Sequence, residues 1–495
     1  MKDLSYYLEK AQEIGFVEQI IHSVIYASGL PKVRPYELVV FEGGQVGQVI
    51  SLSEDLVEIL LLSKVNVKVG DKVARTETYL TVGVGEALLG KTVDALGNLI
   101  SGRTPKTGLS PRPIVTTPLG IGYRKNIDKP FETGVSIVDL AIPLGKGQRE
   151  LVIGDRKSGK TLFLQQVVLT QAAKGTICIY ASIAKRWFDT VSTAQFFKNY
   201  GVEKQVIMVV SGPAEAPGLV FMTPYTAMTI AEYFRDQGKD VLVVLDDMTA
   251  HAKYYREITL AARRFPGRSS YPGDIFFVHS RVLERAGNFV KGSITCLPVA
   301  ETVFRDFSGY IQTNLMSMTD GHIFFDGDLF NQGRRPAINE FLSVTRVGLQ
   351  AQTPLVRDIN REITRFMLYF DKLRQYMHFG SELSQETRRT IALGERIVAF
   401  FDQAPDMIIP INVSTIILAA LWAGFWKEVD LILMKNQMNS LLSYYLKDQN
   451  YQEKIEKMIA ASNSLSMLSA LLKDQEKVIS EALVEPERDN TLNAR

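Results

Sequence analysis

The stretch that most constrains the fold is GDRKSGKT at residues 154–161. It directly follows the apolar run ELVI (150–153) and leads into KTLFLQQVVLTQAAKG (160–175), which is typical of a helix. The stretch matches the pattern G-x-x-x-x-G-K-[ST], in which backbone N–H groups and a helix N-terminus surround phosphate oxygens. A strand, a glycine-rich loop and a helix in this order predict a βαβ unit that binds a phosphate chain. The alternative is a glycine-rich turn without a ligand.

This loop supplies candidate phosphate-binding residues and, together with a later residue, a candidate Mg²⁺ site. Lys160 is expected to pair with the outer phosphates, and the Thr161 hydroxyl is expected to hold Mg²⁺. Asp246, at the end of the apolar run VLVVLDD (241–247), is the expected carboxylate on the magnesium side. The residues expected to bind the phosphates are Gly154, Asp155, Arg156, Lys157, Ser158, Gly159, Lys160 and Thr161.

The hydrophobic pattern changes twice along the chain. Residues 1–85 contain a short N-terminal helix and short β-type runs with turn signals between them, which predicts a small closed barrel. Residues 86–353 alternate apolar runs such as TICIYAS and QVIMVVSG with helical stretches, which predicts a parallel sheet covered on both faces. The turn signals of the first segment are Gly43-Gly44 and Gly70-Asp71.

The last segment, residues 354–495, is expected to be a helical domain because its apolar residues recur at helical spacing. Its most apolar stretch is STIILAALWAGFW (414–426). This stretch is shorter than the ~18–20 residues that cross a bilayer, so we expect a buried helix. The helical spacing is clearest at Ile359, Ile363, Phe366, Phe370 and Leu373.

Composition argues against several other classes of protein. The chain has 495 residues, 46% hydrophobic and 22% charged, which suits a soluble globular protein of roughly three domains. A net charge of +2 gives no overall attraction to nucleic acid, and the polar start MKDLSYYLEKAQEIGF is unlike a signal peptide. The two cysteines form no disulfide framework, the five histidines show no metal-ligand spacing, and no G-x-S-x-G motif is present.

Five longer stretches give the chain a specific resemblance. They are VGEALLGKTVDALGNLI (84–100), TGVSIVDLAIPLGKGQRELVIGDRKSGKT (133–161), RRFPGRSSYPGDIFFVHSRVLERA (263–286), TNLMSMTDGHIF (313–324) and RRPAINEFLSVTRVGLQAQ (334–352). With these stretches the chain resembles the α subunit of F-type rotary ATP synthases along almost its whole length. The resemblance implies an N-terminal six-stranded β-barrel, a central α/β RecA-like P-loop nucleotide-binding domain and a C-terminal α-helical bundle.

In that family, α and β subunits alternate in a ring around a central stalk, and only the β-type sites react. Catalytic relatives carry a glutamate just past the strand that follows the phosphate loop. The corresponding stretch here is IYASIAKRWFDT (179–190), in which Lys185 stands where that glutamate would be and where α subunits usually carry glutamine. Because a protonated lysine cannot accept a proton from water, we expect this site to bind nucleotide without hydrolysing it.

The resemblance also implies roles for residues outside the loop. Arg346, in SVTRVG, matches the arginine finger that reaches into the neighbouring β site, an effect that can be worth ~10³–10⁵ in rate. Ser317, in MSMTDG, matches a position near the same interfacial phosphate. The residues that match those approaching the nucleotide base are Phe330, Arg335, Pro336 and Gln403, and a second expected glutamine falls on Pro405.

The departures from the family concern charge and the N-terminus. Lys157-Ser158 stands where Gln-Thr is usual. Lys157 and Lys185 are expected to strengthen phosphate attraction, and the alternative is that they alter which nucleotide state is held. The helix before Gly15 is shorter than in most α subunits, where that extension docks the peripheral stalk.

The resemblance implies ATP or ADP and Mg²⁺ as ligands, and the β, central-stalk γ and peripheral-stalk δ and b subunits as partners. The location it implies is the cytoplasmic face of a bacterial cell membrane, or the equivalent face of an organelle inner membrane, where ATP chemistry is coupled to H⁺ or Na⁺ movement. The alternative is a self-sufficient hexameric motor ATPase of the secretion type. Both that alternative and a catalytic β-type subunit predict a glutamate near position 185, where the chain has a lysine.

Overall fold

The computed structural model describes residues 3–63, 67–101, 107–377 and 384–483. The chain forms two compact units. The first consists of the chain through Asn126 together with Lys146–Arg156 and Gln171–Asp320. The second consists of Ile127–Gly145, Lys157–Thr170 and the chain from Gly321 onward. The domain boundaries that the sequence suggests after residues 85 and 353 stay a prediction.

The N-terminal part of the first unit is a closed barrel of six antiparallel strands. The strands follow one another around the barrel in the order β1-β2-β5-β4-β3-β6. Gly44, in the turn between β3 and β4, has φ of +80°, a value that glycine adopts without strain. The barrel prediction is therefore confirmed. The elements are α1 (Leu4–Ala11), β1 (Gly15–Ile21), β2 (Val24–Ser28), β3 (Glu37–Phe41), β4 (Val46–Leu52), β5 (Val57–Leu61) and β6 (Lys72–Tyr79).

Short strands and one helix lie between the barrel and the phosphate loop. Strands β7 and β9 pair with each other in antiparallel fashion, as do β10 and β11. These elements are β7 (Thr81–Val84), β8 (Thr92–Val93), β9 (Ser110–Pro113), β10 (Pro130–Phe131), α2 (Ser136–Ala141) and β11 (Leu144–Gly145).

The elements that follow alternate between strands and helices, as the sequence predicts for an α/β domain. They are β12 (Glu150–Gly154), α3 (Lys160–Ala173), β13 (Ile177–Ser182), α4 (Trp187–Asn199), β14 (Val206–Val210), α5 (Pro217–Asp236), β15 (Asp240–Asp246), α6 (Met248–Ala261), α7 (Ile275–Leu283), β16 (Gly287–Asn288), β17 (Ser293–Glu301), α8 (Tyr310–Met318), β18 (Gly321–Phe325), α9 (Gly327–Asn331) and β19 (Val344–Thr345).

A parallel sheet forms the centre of the first unit. Its strands run in the order β12-β17-β15-β13-β14-β8, and β16 pairs with β17 in antiparallel fashion. Every residue of β12, β13 and β14 is buried, as expected for strands covered on both faces. Because all strands of this order are parallel, their carboxyl ends meet at one edge, and the loops that carry the candidate site residues leave from that edge.

The second unit ends in the predicted helical region. Helix α10 buries Ile359, Ile363 and Phe370 on the stripe that the sequence indicates. Gly394 of α11 packs against the Phe370 ring. The helices are α10 (Pro354–Met377), α11 (Gln385–Phe401), α12 (Ile411–Ala423), α13 (Leu431–Lys447), α14 (Gln449–Ala460), α15 (Leu465–Asp474) and α16 (Lys477–Leu483).

Helix α12 contains most of the apolar stretch 414–426 and is the buried helix that the sequence predicts. Its residues from Ser414 to Leu421 are all buried. Across the residues that the structure describes, none of the helices combines the length and the apolar character needed to cross a membrane.

Candidate functional site

The phosphate loop connects the carboxyl end of β12 to the start of α3. Strand β12 ends at Gly154 and α3 begins at Lys160, so the strand–loop–helix order follows the predicted motif. Lys157 and Gly159 both have left-handed φ values, +62° and +98°, which turn the chain sharply within five residues. The side chain of Lys160 is buried, whereas Thr161 is exposed. This is the loop shape in which helix N-terminal N–H groups are available to an anion.

The first two residues after β12 are held by side chains of the first unit. Asp155 accepts a hydrogen bond from the Thr302 hydroxyl, just past the end of β17. The Nε of Arg156 donates to Glu301 Oε2 at 2.9 Å. Glu301 is the last residue of β17 and lies beside Gly154 in the parallel register. Residues at the end of β17 therefore position the beginning of the loop.

A second charged group lies two strands away in the same sheet. Lys185 Nζ lies 2.8 Å from Asp246 Oδ1 and 3.8 Å from Asp247 Oδ2. The Tyr180 hydroxyl donates to Asp246 Oδ2 at 2.9 Å. Both oxygens of the Asp246 carboxylate thus have partners within the first unit.

The electrostatic balance of this group keeps Lys185 charged. Burial on its own would lower the pKa of the Lys185 ammonium, but the charges of Asp246 and Asp247 outweigh burial and raise that pKa above its usual value. Burial, together with the nearby charges of Asp246 and Glu301, raises the pKa of Asp247 to about 6, although Lys185 opposes this shift. Lys185 is therefore a protonated cation at neutral pH and cannot act as a general base.

The backbone fixes Lys185 at the end of β13. Ser182 lies beside Asp246 in the register of β13 and β15, and Ile183 N donates to the Asp246 carbonyl at 2.7 Å. Ala184 then takes a left-handed φ of +53°, and helix α4 begins at Trp187, whose side chain is 58% exposed. This turn directs the chain back along the sheet edge, next to the carboxylates of β15.

The predicted base-end residues lie in the second unit. The Arg335 guanidinium carbon lies 3.6 Å from the centroid of the Phe330 ring, and Arg335 Nη1 donates to the Phe330 carbonyl at 2.8 Å. A Cβ atom on Gly159 would lie 3.9 Å from the Phe330 ring, so this stacked pair lies next to the second half of the phosphate loop. Pro336 directly follows Arg335 and is half-buried. The structure thus places Phe330 beside the loop with Arg335 stacked on its ring, and the binding roles of these residues stay predictions.

Gln403, the fourth predicted base-end residue, is occupied by internal hydrogen bonds. Its Nε2 donates to the carbonyls of Gly134 and Met407 at 2.7 Å and 2.6 Å, and its Oε1 accepts from Ser136 N at 3.0 Å. Both amide hydrogens are therefore used by the backbone. A cavity of about 350 Å³ is lined by Arg335, Gln403 and Pro405, together with side chains of α11, α12 and α13. Its volume is at the lower end of the range for small-molecule sites.

The two predicted interfacial residues are both exposed. Arg346 follows β19, and among the residues that the structure describes no carboxylate lies within ion-pair distance of its guanidinium. The Ser317 hydroxyl donates to the Asn314 carbonyl at 2.7 Å, within α8. The catalytic and interfacial roles of both residues stay predictions.

Three contacts of the site are not predicted by the sequence patterns. They involve Glu301, Thr302 and Tyr180. The stretch SITCLPVAE (293–301) is an apolar run that ends in an acid, which is the same signal that identifies Asp246. That signal could have indicated Glu301, whereas the Tyr180 contact depends on the register of β13 and β15.

Comparison with known proteins identifies the family. Residues 134–345 match the family described as "ATP synthase alpha/beta family, nucleotide-binding domain", and residues 352–477 match "ATP synthase alpha/beta chain, C terminal domain". The ATP synthase subunit alpha of Aquifex aeolicus (strain VF5) is 36% identical over 479 residues, which cover 96% of this chain and 93% of the relative. That of Mycoplasma capricolum subsp. capricolum is 36% identical over 475 residues, which cover 94% of this chain and 90% of the relative. The chain therefore belongs to the family of F-type ATP synthase alpha subunits.

Proposed function

We propose that this chain binds ATP or ADP at its own phosphate loop without hydrolysing it, and supplies Arg346 to the catalytic site of a neighbouring β subunit. The observation that carries the proposal is the ion pair between Lys185 and Asp246 at 2.8 Å. It puts a protonated amine where a catalytic site of this build needs a carboxylate to activate water.

Three further carboxylates at this sheet edge, those of Asp246, Asp247 and Glu301, do not replace the missing base. Asp246 is paired with Lys185 and Tyr180, and Glu301 is paired with Arg156. Asp247 Oδ1 accepts a hydrogen bond from Ala250 N, the first turn of α6. Each of these carboxylates already has a structural partner, which supports binding without hydrolysis.

The two predicted Mg²⁺ ligands, Thr161 and Asp246, differ in whether their oxygens are available to the ion. The Thr161 hydroxyl is exposed at the start of α3, so Thr161 fits as a ligand beside the phosphates. Asp246, the other predicted ligand, does not fit as an open ligand because Lys185 and Tyr180 hold its two oxygens. When bound, Mg²⁺ would screen phosphate charge. Lys160 and the loop N–H groups would orient the phosphate chain, and Phe330 and Arg335 would lie toward the base.

The arginine finger is supported by the surroundings of Arg346. Arg346 is exposed and makes no ion pair with the described part of its own chain, so its guanidinium charge is available to a partner's phosphate oxygens. Thr345, the residue before it, donates its hydroxyl to the Pro143 carbonyl at 3.0 Å and so anchors the backbone that carries Arg346. A fixed backbone with a free side-chain end suits a residue that acts in trans.

The assembly that follows from this function is an alternating ring with β subunits around a central-stalk γ subunit. The peripheral-stalk δ and b subunits would attach the ring to an ion-translocating membrane sector on the cytoplasmic face of the membrane, or on the equivalent face of an organelle. The coupling of ATP chemistry to H⁺ or Na⁺ movement would occur in that sector. The relatives' name, ATP synthase subunit alpha, supports membership of such a complex.

The test is ATP hydrolysis by the chain alone and by the chain assembled with its β and central-stalk partners. We expect no turnover by the chain alone. In the assembly, Arg346→Ala should lower turnover by roughly 10³-fold or more, because the guanidinium stabilises charge on the transferring phosphoryl group. The matched control is Arg357→Ala, which changes an exposed arginine of α10 and should leave turnover unchanged.

Turnover by the chain alone that disappears in Lys160→Ala would contradict the proposal. In that case the chain would hydrolyse ATP at its own loop. Equal turnover of the Arg346→Ala and Arg357→Ala assemblies would remove the finger from the proposal while leaving nucleotide binding in place.

A further inference from the structure

Asp246 and Asp247 form a pair of carboxylates that is almost completely shielded from water at the carboxyl end of β15. Only 4% of each residue is exposed. Asp247 caps the start of α6 by accepting from Ala250 N at 2.5 Å, and Asp246 accepts from the Tyr180 hydroxyl at 2.9 Å. Neighbouring buried carboxylates repel each other, so both can stay ionised only with a cation in contact.

Lys185 supplies that cation from within the chain. Its ammonium contacts Asp246 at 2.8 Å and lies 3.8 Å from Asp247. A third carboxylate at the same sheet edge, Glu301, is paired with Arg156 at 2.9 Å. Asp246, Asp247 and Glu301 therefore share two cations that belong to the chain itself, and these cations offset most of the negative charge of the three acids.

The position of Lys185 is fixed by its backbone. Residues 182–184 are tied on both sides, because Ile183 N donates to the Asp246 carbonyl at 2.7 Å and Ala184 N donates to Ser211 Oγ at 3.3 Å. Only 28% of the Lys185 side chain is exposed. The backbone of the chain itself therefore holds Lys185 within reach of Asp246.

We propose that Lys185 is a built-in counter-cation for the Asp246–Asp247 pair, and that ATP therefore binds to this chain with little dependence on Mg²⁺. The proposal rests on the proposed function, since it concerns the same nucleotide site. Mg²⁺ strengthens ATP binding when it links a phosphate oxygen to a protein carboxylate. With Asp246 held by Lys185, Asp246 does not offer that link.

A glutamine at position 185 would behave differently. Its amide could hydrogen-bond to Asp246 but would bring no charge, so the buried carboxylates would need a metal ion to balance them. Lys185→Gln is therefore expected to increase the dependence of ATP binding on Mg²⁺. The double variant Lys185→Gln/Asp247→Asn guards against misfolding, because it removes one charge of each sign and asparagine is also a good helix cap.

The experiment measures ATP binding to the full-length chain by calorimetry, in buffer with MgCl₂ and in buffer with EDTA. For the wild type we expect the dissociation constants with MgCl₂ and with EDTA to agree within about tenfold. For the double variant the dissociation constant in EDTA should be higher than that in MgCl₂ by more than about tenfold. Electron paramagnetic resonance of Mn²⁺ with ATP gives an independent readout. The variant should hold Mn²⁺ more tightly than the wild type. Lys198→Gln, at an exposed lysine of α4, is the control and should match the wild type.

Equal Mg²⁺ dependence in the wild type and the double variant would overturn the proposal, and so would wild-type binding that is lost in EDTA. Failure of the proposed function looks different. If the wild type binds no ATP in either buffer, the phosphate loop is not a nucleotide site, and the role of Lys185 in nucleotide binding falls with it.

Discussion

Two buried histidines of the first unit share one hydrogen bond. His251 Nε2 lies 3.1 Å from the Phe221 carbonyl, and His251 Nδ1 lies 3.2 Å from His279 Nε2. The carbonyl can only accept, so His251 Nε2 carries a proton and Nδ1 accepts from His279. An additional proton on His251 would place two N–H groups against each other. The arrangement therefore requires His251 to be neutral, while burial disfavours a charge on His279.

This pair predicts a loss of stability in acid. Burial lowers the pKa of His251 to about 4, and burial together with the neighbouring His251 also lowers the pKa of His279 well below its usual value. The unfolded chain takes up protons at a pKa near 6.5 and the folded chain does not, so stability is present above about pH 6.5 and is lost as the pH falls toward 4. For His251 alone the loss is on the order of 3 kcal/mol.

The measurement is the midpoint of urea unfolding between pH 7 and pH 4, for the wild type and for His251→Gln/His279→Gln. The variant should be less stable at neutral pH but should lose less stability on acidification. Carboxylates contribute equally to both proteins, so the difference between the two curves reports on the histidines. Parallel curves would show that the pair does not exclude protons.

Position 185 shows which part of a residue's role the sequence can predict. That a protonated lysine cannot serve as a general base follows from its chemistry alone. The ion pair with Asp246 that keeps Lys185 protonated does not, because Lys185 follows β13 and Asp246 ends β15, and these distant parts of the chain meet only through the register of the two strands. Gln403 is the opposite case. The sequence suggests a contact with the base, while the folded chain uses both amide hydrogens on its own backbone.

At the scale of elements, the contact between α10 and α11 depends on a glycine. A Cβ atom at Gly394 would lie 2.2 Å from the Phe370 ring, well inside van der Waals contact. Glycine within a helix is ordinarily a weakness, and its replacement by alanine there stabilises by roughly 0.5–1 kcal/mol. The close approach of Phe370 reverses that expectation.

Gly394→Ala is therefore expected to destabilise the helical region by about 1–3 kcal/mol, because the added methyl group forces the Phe370 ring out of its place. Thermal unfolding followed by circular dichroism measures the effect. Adding Phe370→Leu to Gly394→Ala should restore part of the lost stability, because the smaller side chain leaves room for the methyl group. Gly122→Ala, where an added Cβ meets no atom within 4 Å, is the control. An increase in the unfolding temperature of Gly394→Ala would contradict the packing argument.

Strand β17 shows where element prediction from local pattern is weakest. Proline lacks the N–H of a strand ladder and is usually confined to edge strands. Pro298 nevertheless lies within β17, which has β12 on one side and β15 on the other. The apolar runs of β12, β13, β14 and β15, which contain no proline, predict these strands directly. A central strand that contains proline is recognised only when its neighbours are known.

For the whole molecule, the order of barrel, α/β region and helices follows from hydrophobic periodicity, because periods of 2 and 3.6 residues are distinct over long segments. The phosphate loop can likewise be recognised from local sequence, since its glycines and Lys160 lie close together in the chain. The contacts of the site depend on strand order, and strand order is a property of the complete sheet. Glu301 beside Gly154 is an example, because the two residues are far apart in sequence.

Several large apolar side chains of the first unit are almost fully exposed in the single chain. Phe265 is 97% exposed and Phe304 is 92% exposed. A phenylalanine so exposed gains stability when a partner covers it, at ~25 cal/mol for each Å² removed from water. We expect Phe304→Ser to lower the yield of ring assembled with β subunits, as measured by size-exclusion chromatography, without changing the unfolding temperature of the isolated chain. Unchanged assembly would show that Phe304 lies outside the interfaces.

The turn that carries Lys185 also provides an optical signal. The chain has three tryptophans, and only Trp187, two residues after Lys185, is largely exposed; Trp422 and Trp426 are at least partly covered by the helical region. Its emission is therefore sensitive to solvent at the sheet edge where the phosphate loop begins. A Trp187→Phe variant would supply the background, so that the difference spectrum follows ligand arrival without a dye. Occupancy could then be recorded in real time in the unlabelled chain.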